Sequence, residues 1–415
     1  MPRPLTARLA KLLPDPGPAR ALTYSSLVNS IGRGLFVTAS VVFFHQSVGL
    51  SAAQVGLGMT IAAVVGLFAG VPMGHLADKV GPRLITVVAG MTAAACILCY
   101  LLVHHWWAFV LVASAAAFAQ ASAQASRGAL IAGSVPAEQR VRTRAYLRAV
   151  TNGGWTIGAP LAGIALYYDV RAVYMGLIAI AAALNVVGAL LNLRVPKLPP
   201  RESSARESMS TALRDRPFLT LAVLNAIMNI HFGIQNVAIP LWVVERTNAP
   251  AWVISLVAVI NTVSVVALQV RASRGSGTVD GAARAMRRAG FLLLAACVLY
   301  ALAAGEPAWV AAVALALGAA VHVIGELLHA SGGWGLSYDL APPHAQGQYQ
   351  GLFLTGFQIA DIAAPALLTT AVVGWGLPGW VLFGAIFAAT GMAIPAVARW
   401  ASRTRVTPVP DPAVA

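Results

Sequence analysis

Apolar runs of roughly 20 residues, each long enough to cross a bilayer as a helix, alternate along this chain with short polar segments. The pattern predicts twelve spans. Six lie at about 22–46, 52–74, 84–103, 107–133, just beyond 148, and 172–193; six more lie at about 218–241, 252–270, 289–304, 307–334, 350–373 and 378–399. Between the sixth and seventh, Arg194, Lys197, Pro199, Pro200 and Arg201 open a stretch rich in Ser, Glu and Arg, which reads as a linker. The expected organisation is a tail (1–21), a six-helix unit (22–193), a linker (194–216), a second six-helix unit (217–399) and a second tail (400–415). The first tail is basic and proline-rich and lacks the apolar core and cleavage site of a signal peptide.

Composition supports the membrane reading. The chain is 58% hydrophobic and 10% charged, with mean hydropathy +0.75, where soluble domains carry about 25% charged residues. The net charge of +14 would suggest nucleic acid in a soluble protein. Here the cations sort to one side. With both termini cytoplasmic, nearly all of the 28 Lys and Arg fall on cytoplasmic segments, including Arg140, Arg142, Arg144 and Arg148 in an expected loop at 134–148. Only Arg171 and Arg246 fall outside, and Arg33 and Arg127 inside spans. Cys96, Cys99 and Cys297 all lie in apolar runs, so no disulfide framework is implied.

Several residues break the apolar runs. Asn29, Arg33, Phe36 and Ser40 share one face of helix 1. A charge such as Arg33 at mid-span costs about 2.5–3.5 kcal/mol on insertion scales, so it faces a water-filled cavity or a carboxylate. Gln120, Gln124 and Arg127 form a polar stripe on helix 4, and Asn225, Asn229 and Asn236 another on helix 7, with His231 off that face. Two carboxylates fall deep in spans. Glu326 on helix 10 has His322 and His329 about one turn away on either side, and Asp361 on helix 11 precedes Pro365. A carboxylate in a low-dielectric site takes and releases a proton in a useful range, which suits proton coupling. For Glu326 the alternative is a static pair with a His or Arg; for Asp361 it is support of a helix bend. The His/His/Glu spacing also permits a metal ion, although no metal and no cofactor is expected. His231 reads as a packing residue with one hydrogen bond.

The segment Gly74-His75-Leu76-Ala77-Asp78-Lys79-Val80-Gly81-Pro82-Arg83 reads as a charged hairpin loop between helices 2 and 3. It resembles the G-x-L-A-D-[RK]-x-G-R-[RK] signature of the major facilitator superfamily. Gly74, Leu76, Ala77, Asp78, Lys79, Gly81 and Arg83 agree in kind, and Pro82 departs. Asp78 suits the positive N-terminal end of helix 11, near Gln350 or Gly351, or else Arg127. Gly74, Asp78, Gly81, Arg83 and Arg127 are therefore the expected gating group. On helix 5, Gly153-Gly154-x-x-x-Gly158-Ala159-Pro160-x-x-Gly163 partly resembles the motif of drug:proton antiporters. Ala159 interrupts it, and a small-residue packing face with a proline bend is the other reading. Gly325-Glu326 and the residues up to Gly351 resemble the helix 10 to 11 region of multidrug-type carriers.

The resemblance implies an all-α fold of two pseudo-symmetric six-helix bundles rocking about a midplane cavity lined by helices 1, 4, 7 and 10. The residues expected there are Asn29, Arg33, Phe36, Gln120, Gln124, Asn225, Asn229, His322 and Glu326, with Glu326 and Asp361 handling protons. The implied activity is proton-driven export of small amphipathic molecules by a monomer in the cell membrane, with protons, a small-molecule substrate and lipid as partners, no nucleic acid, and no enzymatic step. A nutrient importer and a non-transporting receptor remain open alternatives. No G-x-x-x-x-G-K-[ST] loop is present to bind a nucleotide.

Overall fold

A computed structural model describes residues 14–42, 44, 48, 50–168, 170–198 and 211–404. Most of the first tail, much of the linker and most of the second tail lie outside these residues. The described residues form twelve long helical segments: α1 (Pro18–Val42), α2 (Ala52–Leu67 and Gly70–Val80), α3 (Pro82–Leu102), α4 (Trp106–Ser134), α5 (Ala137–Tyr168) and α6 (Arg171–Arg194), then α7 (Arg216–Arg246), α8 (Trp252–Ala272), α9 (Val279–Ala301), α10 (Ala308–Asp339), α11 (Gln346–Leu368) and α12 (Leu377–Arg403). Eight are individually long and apolar enough to cross a membrane, and α2, bent by 44°, makes a ninth.

Local sequence sets the helix boundaries. Ser51 and Gln54 form a reciprocal capping box at the start of α2. Asp215 caps α7 by accepting from the Phe218 amide, and Tyr349 on α11 donates to the same carboxylate at 2.7 Å. The hairpin expected over 74–83 is far shorter than its sequence suggests. Helix α2 continues through His75, Asp78 and Lys79, and the connection is Gly81 alone, at φ 111°, followed by Pro82 as the first residue of α3. Helix α7 carries a π-turn at Ile234–Ala238, and α11 ends in another at Thr369–Gly374 beyond Pro365.

α1 packs on α5 and α6, α3 on α4 and α6, and α2 on α4. In the second half, α9 packs on α10 and α12, α7 on α11 and α12, and α8 on α10. The halves meet mainly through α2 against α11 and α5 against α8, with α4–α11 and α5–α10 between. The second half holds a dense aromatic core of Phe218, Trp242, Tyr300, Trp380 and Phe387, in which the Trp242 indole donates to the Tyr300 carbonyl at 2.9 Å. Large apolar side chains such as Phe68, Leu102, Trp107, Leu111 and Trp309 are each more than two-thirds exposed. A soluble monomer rarely presents so much apolar surface; here it faces lipid.

Candidate functional site

A lobe of about 300 Å³ lies within the first half, met by Trp334 of α10, and a second of about 360 Å³ lies between the halves; the two adjoin, sharing Gln124, Arg144, Arg148, Thr151 and Trp334. The first lobe gathers Asn29, Arg33 and Phe36 from α1 with Gln120, Gln124 and Arg127 from α4. The second gathers Asn225 and Asn229 from α7 with Phe232, His329, Phe353 and Phe357. Helices α3, α5, α6 and α11 join the wall alongside α1, α4, α7 and α10. Two expected lining residues are displaced. Glu326 is 3% exposed and His322 is fully buried, and both sit behind the wall, because their face of α10 turns toward α7, α8 and α9.

Glu326 is held from two sides. Arg148 of α5 forms an ion pair with Oε1, and Asn261 Nδ2 of α8 donates to Oε2 at 2.7 Å. Arg148 was expected in a loop. The helix in fact begins at Ala137, and Arg140, Arg144 and Arg148, each four residues apart, run down one face into the bilayer. The Arg148 guanidinium also lies over the Phe232 ring, 5.3 Å from its centroid. The pair joins the two halves of the molecule. Removing Arg148 would leave Glu326 as an uncompensated buried charge, which costs about 3–5 kcal/mol, whereas removing Glu326 leaves Arg148 at the cavity wall.

Three histidines beside this pair form a hydrogen-bonded chain. His329 Nε2 meets Asn225 Oδ1 at 3.1 Å, His329 Nδ1 meets His231 Nε2 at 3.0 Å, His231 Nδ1 meets His322 Nε2 at 3.1 Å, and His322 Nδ1 meets the Tyr300 hydroxyl at 3.3 Å. One proton assignment satisfies every link. His329 donates to the Asn225 oxygen and accepts from His231; His231 accepts from His322, and His322 accepts from Tyr300. Each imidazole is then neutral, with one donor and one acceptor used. His231 therefore makes two hydrogen bonds, not the one expected of a packing residue. Ligand atoms of His231, His322 and Glu326 lie within 4.8 Å of one another, a spacing a metal ion could use. In this arrangement both His231 nitrogens and both Glu326 oxygens are already engaged.

Asp78 ties α2 of the first half to α11 of the second. Its carboxylate accepts from the Gly347 amide at 2.9 Å and the Gln348 amide at 3.1 Å, at the first turn of α11. This is the expected helix N-terminus, one turn earlier than Gln350 and Gly351. Gly74 makes the approach possible, since a β-carbon there would overlap the Gly347 carbonyl oxygen. On the same side Arg144 Nε donates to the Tyr338 hydroxyl at 2.7 Å, and Gln350 donates to the Ser337 carbonyl at 3.0 Å. Two members of the expected gating group lie elsewhere. Arg83 donates to the Leu193 and Val195 carbonyls at 3.3 and 3.0 Å, tying α3 to the C-terminal end of α6. Arg127 lines the cavity and donates to Ser26 Oγ at 3.2 Å. Along α11, Gln350 is buried, Phe353 half-buried and Phe357 and Asp361 exposed, so the cavity widens away from the Asp78 side.

On helix α5, Gly154 and Gly158 pack against Leu27, Ser30, Ile31 and Gly34 of α1, as a small-residue face does. Gly163 has no neighbour for a β-carbon to meet, and Pro160 is exposed. Asp361 is exposed and lines neither lobe, and its charge acts on Arg33 of α1.

The model of the Major Facilitator Superfamily matches residues 22–365. The chain belongs to that superfamily. It is 24% identical over 356 residues to the uncharacterised MFS-type transporter YdeE of Escherichia coli, covering 84% of this chain and 88% of that protein. It is 27% identical over 241 residues to the multidrug resistance protein MdtH of Klebsiella pneumoniae, covering 57% and 59%. Among solved structures, a bacterial homologue of the iron transporter ferroportin in an outward-facing state superposes with TM-score 0.72 at 16% identity, and FucP in the outward conformation with 0.71 at 17%. Each covers 93% of this chain and 99% of the other. The major facilitator fold, with its multi-pass membrane architecture, is thus established.

Proposed function

We propose that this chain is a proton-coupled secondary transporter of small amphipathic organic molecules, working as a monomer in the cell membrane with both termini cytoplasmic. The units 22–193 and 217–399 would rock about the cavity, and the Asp78 side would be the cytoplasmic gate. The observation that carries the reading is the Arg148–Glu326 pair, a buried charge link between the halves at the cavity wall. A proton on Glu326 cancels the attraction that joins α5 to α10 and returns the Arg148 charge to the cavity. The site then differs in charge between the two states of the cycle, which is what coupling needs.

Exchange by direct competition of proton and substrate for Glu326 is the simplest coupling scheme. That requires a carboxylate open to the cavity, and Glu326 is instead buried and paired, so its effect on substrate passes through Arg148. A freed Arg148 repels a cation and attracts an anion, so the sign of coupling follows the charge of what is carried. Export is the second reading, favoured by the relatives named multidrug resistance proteins.

The test is flux in proteoliposomes under an imposed pH gradient, with ethidium, naphthamide and naphthoate as probes. Glu326→Gln should abolish gradient-driven movement while leaving downhill exchange, and Asp361→Asn should retain the driven flux. Parent-like driven transport by Glu326→Gln, with loss in Asp361→Asn, would move the coupling role to α11.

A further inference from the structure

The charge inventory of the cavity wall does not balance. Four arginines line it (Arg33, Arg127, Arg144 and Arg148), and among the described residues no Asp or Glu lines either lobe. Glu326 neutralises Arg148 from behind the wall, and the opposite charge of Asp361 acts on Arg33. Arg127 and Arg144 remain. Arg127 donates one bond to the Ser26 hydroxyl, and its buried Nε has no acceptor. Arg144 donates to the Tyr338 hydroxyl and lies against that ring, 5.5 Å from its centroid. Hydroxyls satisfy a donor without cancelling a charge, and the two side chains line the same lobe, with an Arg144 guanidinium nitrogen 3.3 Å from where a β-carbon would stand on Gly128, the residue after Arg127. A membrane-embedded cation is costly and normally has a counter-charge, and two side by side cost more.

We infer that the cavity binds an organic anion, its carboxylate, sulfonate or phosphate held by Arg127 and Arg144 and its apolar body seated in the second lobe. Guanidinium groups suit this because their planar forks bind such oxyanions bidentately. The second lobe supplies Phe232, Trp334, Phe353 and Phe357, an aromatic wall that a small inorganic anion would leave unused. The two lobes together fall in the size range of pockets for drug-sized ligands, about 300–1,000 Å³. The inference rests on the transport reading only for the fate of the bound anion, not for its binding.

Binding is measured on the purified full chain in detergent by calorimetry and thermal stabilisation. The probes are naphthoate, its neutral amide naphthamide and the cation naphthylmethylammonium, which share one ring system and differ in charge. Naphthoate should bind at least about tenfold more tightly than naphthamide, and naphthylmethylammonium more weakly than both. Arg127→Gln and Arg144→Gln should each weaken naphthoate by about tenfold or more and leave naphthamide within about twofold, with Arg127→Lys intermediate. If a variant does not fold, the comparison of the three probes on the parent chain still decides. Naphthamide or naphthylmethylammonium binding as tightly as naphthoate overturns the inference. Naphthoate that binds but shows no flux in proteoliposomes leaves the site standing and removes the transport reading. Driven flux of naphthylmethylammonium without naphthoate does the reverse.

Discussion

Replacing Asp78 by Asn should open the side of the molecule where its carboxylate ties α2 to α11. Asp78 is 7% exposed and accepts two backbone N–H bonds at the start of α11, from Gly347 and Gln348. A hydrogen bond to a charged acceptor contributes about 1.5–3 kcal/mol, against about 0.5–1.5 for a neutral one. The asparagine oxygen can serve one amide, but its NH₂ then faces the other, donor against donor. The favourable interaction of a negative charge with the α11 N-terminus, about 0.3–1 kcal/mol, is lost as well. Together these shift the closed-to-open equilibrium on this side by about 3 kcal/mol, roughly a hundredfold.

Thiol labelling can read that shift. In a background with Cys96, Cys99 and Cys297 replaced, Ala345→Cys places a reporter that is 1% exposed at the junction of α10 and α11. Its rate of reaction with a membrane-impermeant maleimide tracks the fraction of molecules open on the Asp78 side. Adding Asp78→Asn should raise the rate by roughly a hundredfold, up to the ceiling of a fully open gate, without lowering the temperature of global unfolding. A change of less than about threefold would refute the reasoning, because the gate would then owe little to this carboxylate.

Gly74→Ala should act on the same reporter in the same direction, because the new methyl meets the Gly347 carbonyl, a backbone atom that cannot swing aside, whereas Gly163→Ala, which meets nothing, should leave the rate unchanged. His231→Phe should lower thermal stability by about 1–3 kcal/mol for each histidine left without its partner, since His322 Nε2 and His329 Nδ1 both lose a bond. His231→Gln, which keeps a donor and an acceptor, should recover part of that loss and retain pH-gradient-driven transport, both read on the same purified protein.

The twelve spans, the Asp78 motif and the polar positions of α1 and α4 were legible because each is a local pattern: run length, fixed spacing or helical periodicity; on α7 that periodicity fails at the π-turn Ile234–Ala238, where Asn236 leaves Asn225 and Asn229 and donates to the Phe232 carbonyl. The Arg148–Glu326 pair was not, and the reason lies in how cations near a span are read. Positive charges flanking an apolar run are normally loop residues. A run of arginines after Pro136 therefore looked like a connection, and helix 5 seemed to begin only after the last of them. Yet Arg140, Arg144 and Arg148 stand four apart, the repeat of one helix face, and that face continues into the cavity at Thr151 and Asn152. Depth would have chosen the partner. Helices rise about 1.5 Å per residue, and α5 begins on the side of the molecule where α10 ends, so Arg148 lies about 16 Å in from Ala137 and Glu326 about 20 Å in from Asp339. The same measure puts Arg33 about 22 Å in from Pro18 and Asp361 about 22 Å in from Gln346, and these two also interact. Arg127, only about 10 Å from Ser134, has no carboxylate at its level. Each deep carboxylate is thus matched by an arginine at its own depth. The cations left over, Arg127 and Arg144, lie nearer the Asp78 gate, so an anion bound between them would sit where closure of that gate could sense it.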